Sequence, residues 1–179
     1  MIYLYKDLTK LGKSDFNIKK MVQNKELFMI QKGVYSTTPS FHYLEYLSKK
    51  HPNIVFTLQT ACFCYGLIKE NRLPYYIVTK QKDRKIKDEN VKQIFMTDEL
   101  YPIGLNHVKY LGFGIQIYDL ERLLIEVVRN KKNMDFNLYS KIILGYKKIV
   151  RLLNKNKLGR YVQFFKDPMI MYRIENEVY

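Results

Sequence analysis

Eight residues between positions 13 and 32 carry the most specific chemistry in the chain: Lys13, Ser14, Phe16, Asn17, Lys19, Lys20, Gln23 and Lys32. Asparagine and glutamine amides can pair with an adenine edge, lysine ammonium groups reach guanine or a backbone phosphate, and an aromatic ring can meet a thymine methyl. Helical periodicity brings most of them to one side. At about 100° per residue, Ile18, Met21 and Val22 form an apolar stripe. The opposite arc holds Phe16, Asn17, Lys20, Gln23 and Asn24, with Lys19 at its margin. Phe16 is the odd member, a mild liability on a solvated helix and an asset inside a DNA groove.

The elements that must position these side chains are legible around them. Ser14 follows the Gly12-Lys13 turn and can cap a helix over about 15–24, because its hydroxyl accepts from an orphaned backbone N–H. Asp15 sits favourably beside the positive end of the helix dipole. A first helix precedes the turn, beginning near Asp7. Two β-prone runs, Leu27 to Gln31 and Val34 to Ser36, flank Lys32-Gly33, where glycine supplies the positive φ of a tight turn and Lys32 reaches toward phosphate. Helix, glycine turn, short helix and hairpin form the order of a winged helix-turn-helix, predicted over residues 1–38. The same parts can also serve as a protein-packing module.

Thr37-Thr38-Pro39 ends the wing, since proline breaks a strand ladder. A second, mixed α/β domain is predicted over 39–179, making the whole chain α+β. Its expected parts begin with a helix over 40–50 burying Phe41, Leu44 and Leu47, and a helix from 56 or 57 to a Gly66 cap. Strands follow over 75–79 and 91–96, and 108–118 forms a further run broken by Gly112 and Gly114. Asp119 caps a helix on which Arg122 and Glu126 have the i,i+4 spacing of a surface ion pair. The longest helix is expected over 135–154, its polar side carrying Lys141, Lys148, Arg151 and Lys155 as a second candidate nucleic-acid surface. The helical tail from Leu158 to Tyr179 is apolar enough to dock.

Net charge is +14, from 31 Lys+Arg against 17 Asp+Glu, which favours a polyanionic partner. Lysine outnumbers arginine 24 to 7, so part of this basicity reflects the amino-acid drift of an AT-rich genome. No apolar run of about 18 residues could span a bilayer, and the amino terminus lacks the features of a signal peptide, so a cytoplasmic protein is expected. Cys62 and Cys64 read as reduced, buried thiols, and His42, His51 and His107 have no metal-ligand spacing. Neither metal nor cofactor is expected. The chain lacks a phosphate-binding GxxxxGK[ST] loop, the D-x-D pair of a nucleotidyltransferase and the E-x-K of a restriction-type nuclease, and Gly112-Phe113-Gly114 leads into a strand. Asp119, Glu121 and Glu126 remain as paired carboxylates, with Asp119 more simply a cap. No catalytic residues are assigned.

Four passages resemble, in order, the AbiEi family of bacterial antitoxins from type IV toxin-antitoxin and abortive phage-infection operons. They are Leu27 to Tyr35 closing the helix-turn-helix, Thr60 to Leu67, Tyr76 to Thr79, and Ile117 to Glu126. Leu123 and Glu126 depart from the family's E-R-T-L-D-like run. The resemblance implies that the winged helix binds inverted repeats in its own promoter as an autorepressor. It also implies that the carboxy-terminal domain counteracts a nucleotidyltransferase-like toxin without a stable complex. The expectation is a monomer in solution that places two copies on duplex DNA, with the two roles separable near Thr38. The alternative is a winged-helix regulator whose second domain senses a ligand and has no toxin partner.

Overall fold

Ile2 explains how the chain begins, because it is fully buried and paired across a strand ladder to Ser36. In the computed structural model, which describes residues 1–179, β1 (Ile2–Leu4) leads into α1 (Tyr5–Lys10). The Leu4 N–H donates to the Asp7 carboxylate at 3.0 Å, fixing that entry. Gly12, at φ +75°, makes the turn to α2 (Asp15–Gln23). Then come β2 (Phe28–Gln31) and β3 (Val34–Ser36), joined at Lys32-Gly33 with Gly33 at φ +80°. The three strands form an antiparallel sheet ordered β1-β3-β2. Strand β1, only three residues long, has too little periodicity to be legible in the sequence.

After the sheet come α3 (Tyr43–Lys50), β4 (Val55–Phe56) and α4 (Leu58–Cys64). Helix α3 starts three residues later than expected, leaving Phe41 outside it and 37% exposed. The helix expected from 56 or 57 begins instead at Leu58, and Phe56 belongs with Val55 to strand β4. A short apolar run looks the same in either state, and pairing with two neighbouring strands decides it here. At the end of α4, Gly66 has φ +72° and the N–H of Leu67 closes onto Cys62 C=O at 2.9 Å, the glycine cap the sequence called for.

A five-stranded mixed sheet ordered β6-β5-β4-β8-β7 follows from β5 (Tyr75–Lys80), β6 (Val91–Met96), β7 (Leu105–Tyr110) and β8 (Phe113–Tyr118). Helix α5 (Leu120–Arg129) runs through the core, capped by the Asp119 carboxylate on Arg122 N–H at 2.9 Å. Helix α6 (Phe136–Lys148) is shorter than expected. It gives way to a 3-10 turn over Val150–Leu152, and Asn154 then starts α7 (Lys155–Val162) by capping it on Lys157 N–H at 3.0 Å. The chain closes with α8 (Ile170–Val178), which docks through Ile170, Ile174 and Val178.

Thirty-five buried residues form one core that includes Ile2 and Val34 of the first sheet. Leu8, Ile18 and Leu27 form a small separate cluster under α1 and α2. The first sheet is seated on α3, where the Glu45 carboxylate accepts from Ile2 N–H at 2.8 Å and Tyr46 O–H donates to Gln31 Oε1 at 3.0 Å. The boundary expected at residue 38 falls two residues after the end of β3, and packing continues across it. No helix is long and apolar enough to cross a membrane.

Candidate nucleic-acid interface

Helix α2 separates its two faces as its periodicity requires. Ile18 is buried, and Met21 and Val22 pack half-buried on the cluster with Leu8 and Leu27. Ser14 caps the helix, its hydroxyl accepting from Asn17 N–H at 3.3 Å. Lys13, Phe16, Asn17, Lys19, Lys20 and Gln23 are all exposed, Phe16 by 74%. Lys32 is exposed at the hairpin tip, and the hairpin is tied to the first helix by Tyr5 N–H on Gly33 C=O at 2.8 Å.

Charge at this end is one-sided in its bonding. Asp7 accepts from Leu4 N–H, Asp15 from the Tyr5 phenol, and Glu26 from the Asn24 amide. The hydrogen bond to Asp15, with a smaller effect of burial, raises the Tyr5 pKa. None of the nine ion pairs involves a residue before Glu70, so Lys13, Lys19, Lys20 and Lys32 keep their charge free for a partner.

The second predicted surface is rearranged. Because α6 ends at Lys148, Lys141 and Lys148 lie on α6, Arg151 in the 3-10 turn that follows, and Lys155 on α7. Lys155 sits 4.0 Å from the ring centroid of Tyr179. The four do not form a ridge on one helix. Lys141 and Lys148 instead line an open cleft of about 1410 Å³ together with Lys69, Arg72, Tyr76, Lys92 and Phe136. Sequence reasoning missed these five, because the cleft is assembled from residues 58–59, 67–76, 92–94 and 130–148. Phe136 alone gave a signal, an apolar residue beside the polar Asp135 cap at a helix start.

The carboxylates considered for acid–base work are committed elsewhere. Lys157 Nζ lies 3.1 Å from both Asp119 Oδ2 and Glu121 Oε2. The Tyr161 phenol also donates to Asp119 Oδ2, and Asn154 N–H donates to Glu121 Oε1. With Asp119 Oδ1 capping α5, all four oxygens are engaged, and the cluster clamps α7 to α5. Burial opposes the Lys157 charge, but its hydrogen bonds to the two carboxylates outweigh that and raise its pKa.

Arg122 and Glu126 form an ion pair as their spacing implied, but not on the surface. Arg122 is fully buried, 2.7 Å from Glu126, with its guanidinium between the rings of Tyr118 and Phe165 at 4.7 and 4.6 Å. It also donates to Leu100 C=O at 3.2 Å. The i,i+4 spacing is the same on any helix, and α5 has no solvent face because α4, α7 and α8 all pack on it. Burial raises the pKa of both cysteine thiols, that of Cys64 to about 12, so they stay protonated and unreactive. No group of three or more His, Cys, Asp or Glu side chains is arranged to hold a metal ion.

No protein-family model matches the sequence, and no curated protein matches it. Among solved structures, the fold is similar to the crystal structure of the RV2827C protein from Mycobacterium tuberculosis. The TM-score is 0.66 at 13% identity, over 97% of this chain and 69% of that one. At that identity the likeness is one of fold.

Proposed function

We propose that this protein is a DNA-binding antitoxin of the AbiEi kind. In this reading residues 1–38 act as a winged helix-turn-helix on inverted repeats in their own promoter, and residues 39–179 counteract a nucleotidyltransferase-like toxin encoded alongside. The observation that carries it is the outward face of α2, where two amides, unpaired lysines and a 74% exposed phenylalanine sit beside a hairpin tipped by Lys32. An ordinary solvated helix has no use for Phe16, whereas a major groove does. One nine-residue helix reaches few phosphates, so two copies on a palindrome supply the contact area.

A gel-shift series on the upstream region at several salt concentrations tests the DNA role. Affinity falls steeply with salt, by about 0.9 log units per log unit for each phosphate contact. Lys20→Glu weakens binding to all sequences, while Asn17→Ala and Gln23→Ala relax sequence preference by about 1–3 kcal/mol. Equal binding of promoter and random DNA, or wild-type behaviour of all three folded variants, rules the face out. The antitoxin role is tested by growth of cells expressing the neighbouring toxin gene with and without the intact protein. The chain is kept whole because Glu45 is buried against Ile2 N–H. Absence of such a neighbouring gene would leave a ligand-sensing regulator as the better reading, with the cleft beside α6 as its sensor.

A further inference from the structure

We propose that the cleft beside α6 binds single-stranded nucleic acid, as a site distinct from the duplex-reading face of α2. Its volume of about 1410 Å³ exceeds the roughly 300–1,000 Å³ of a typical small-molecule site, so it has room for more than one nucleotide. Its walls carry Lys69, Lys92, Lys141 and Lys148, all exposed, and none of them takes part in an ion pair. Arg72 is paired only with Glu70 on the same loop, at 3.4 Å with both side chains 74% exposed, a contact that water screens strongly. The remaining acid, Asp135, is spent on capping α6. The cleft therefore presents a surplus of mobile positive charge to whatever enters it.

Exposed apolar surface lies among those charges. Phe136 is 75% exposed, Leu73 60% and Leu144 57%, and Tyr76 offers a second aromatic ring. Lysines that follow a backbone, interleaved with rings on which bases stack, are the recognition chemistry of single strands. A duplex hides its base faces in its own stack and leaves Phe136 nothing to cover it. A protein partner fits less well, because interface cores deplete lysine and enrich arginine and tryptophan, whereas four of these five cations are lysine.

Fluorescence anisotropy with a labelled single-stranded RNA of about 12 nucleotides, and with DNA of the same length, tests this on the full chain. The wild type binds with an affinity that falls with salt. Lys141→Glu combined with Lys148→Glu lowers the log–log salt slope by about 1.4 and reduces affinity at least tenfold at low salt. Phe136→Ala costs about fivefold or more. All three side chains are exposed, and thermal melts confirm that the fold is retained; Lys92→Glu, on β6, gives an independent repeat away from α6. Lys20→Glu leaves the single-strand affinity unchanged while weakening promoter duplex, so the two sites are scored separately. The proposal is overturned if the cleft variants bind the oligonucleotide as wild type does. It is equally overturned if Lys20→Glu removes that binding, or if the cleft variants abolish only protection from the toxin, which would make the cleft a protein dock.

Discussion

The two basic surfaces of this molecule are built in opposite ways. The face on α2 draws its side chains from positions 13–32, one helix and the hairpin beside it, over a core of only Leu8, Ile18 and Leu27. The cleft beside α6 draws from residues as far apart as Leu58 and Lys148, and rests on the large core. Both present lysines without ion-pair partners. The difference lies in support: the first surface depends on one helix and its cap, the second on how several elements pack. Damage to the main core should therefore affect the cleft first.

The largest effect is expected from that core. Glu126→Ala strands the Arg122 guanidinium between Tyr118 and Phe165, and Arg122→Ala leaves the buried Glu126 carboxylate with only Arg129 at 3.6 Å; each should cost about 3–5 kcal/mol by urea denaturation. Lys20→Glu, exposed on α2, should stay within about 0.5 kcal/mol of wild type. A loss below 1 kcal/mol for both core variants would show that the pair is hydrated and the contrast between the two regions overstated.

Gly145→Ala sharpens the comparison at the cleft. A Cβ there would lie 2.5 Å from the Leu67 carbonyl oxygen, so α6 must shift away from the 67–74 segment. A cost of about 1–3 kcal/mol is expected, with loss of oligonucleotide affinity and retention of promoter affinity. Equal loss at both surfaces would mean that they are mechanically one unit. Ser14→Ala is the counterpart on α2. Removing the cap on Asn17 N–H should cost about 1 kcal/mol and lower duplex affinity while sparing the cleft.

The smallest effect concerns acid. The Glu177 carboxyl is opposed by burial but held below its ordinary value of 4.5 by hydrogen bonds from Lys131 and the Tyr139 phenol, which tie α8 to the segment entering α6. A carboxyl depressed in the folded state contributes stability above its unfolded pKa and loses it as pH falls through the folded one. Wild-type melting temperature should accordingly drop more below about pH 4.5 than that of Glu177→Gln, with the two curves parallel at neutral pH. Identical acid limbs would show that the bond contributes nothing.

Much of the fold was legible where one local rule decided. Ser14, Asp119 and Gly66 mark helix ends because a hydroxyl, a carboxylate and a missing side chain satisfy terminal backbone groups wherever they occur. Leu111-Gly112 turns β7 into β8 at φ +46° and +93°, as the glycines implied. Asn154 shows the limit. It carries a capping side chain inside an apolar period that runs on through Leu153, and the period alone favoured one long helix. With α6 ending at Lys148 and α7 starting after Asn154, Lys141 and Lys148 stand on one helix and Lys155 on another, and the expected ridge does not form.

The sequence by itself determined the faces of α2, the caps at Ser14, Gly66 and Asp119, the hairpin turns and the excess of positive charge, since each follows from neighbours within a few residues. Tertiary structure alone decided that Arg122 and Glu126 are buried rather than exposed, that Val55–Phe56 joins a sheet, and that distant lysines share a cleft with Phe136. Spacing along a helix states which side chains are neighbours. Whether that neighbourhood meets water, a ring or another chain depends on what packs over it, and no local pattern encodes that.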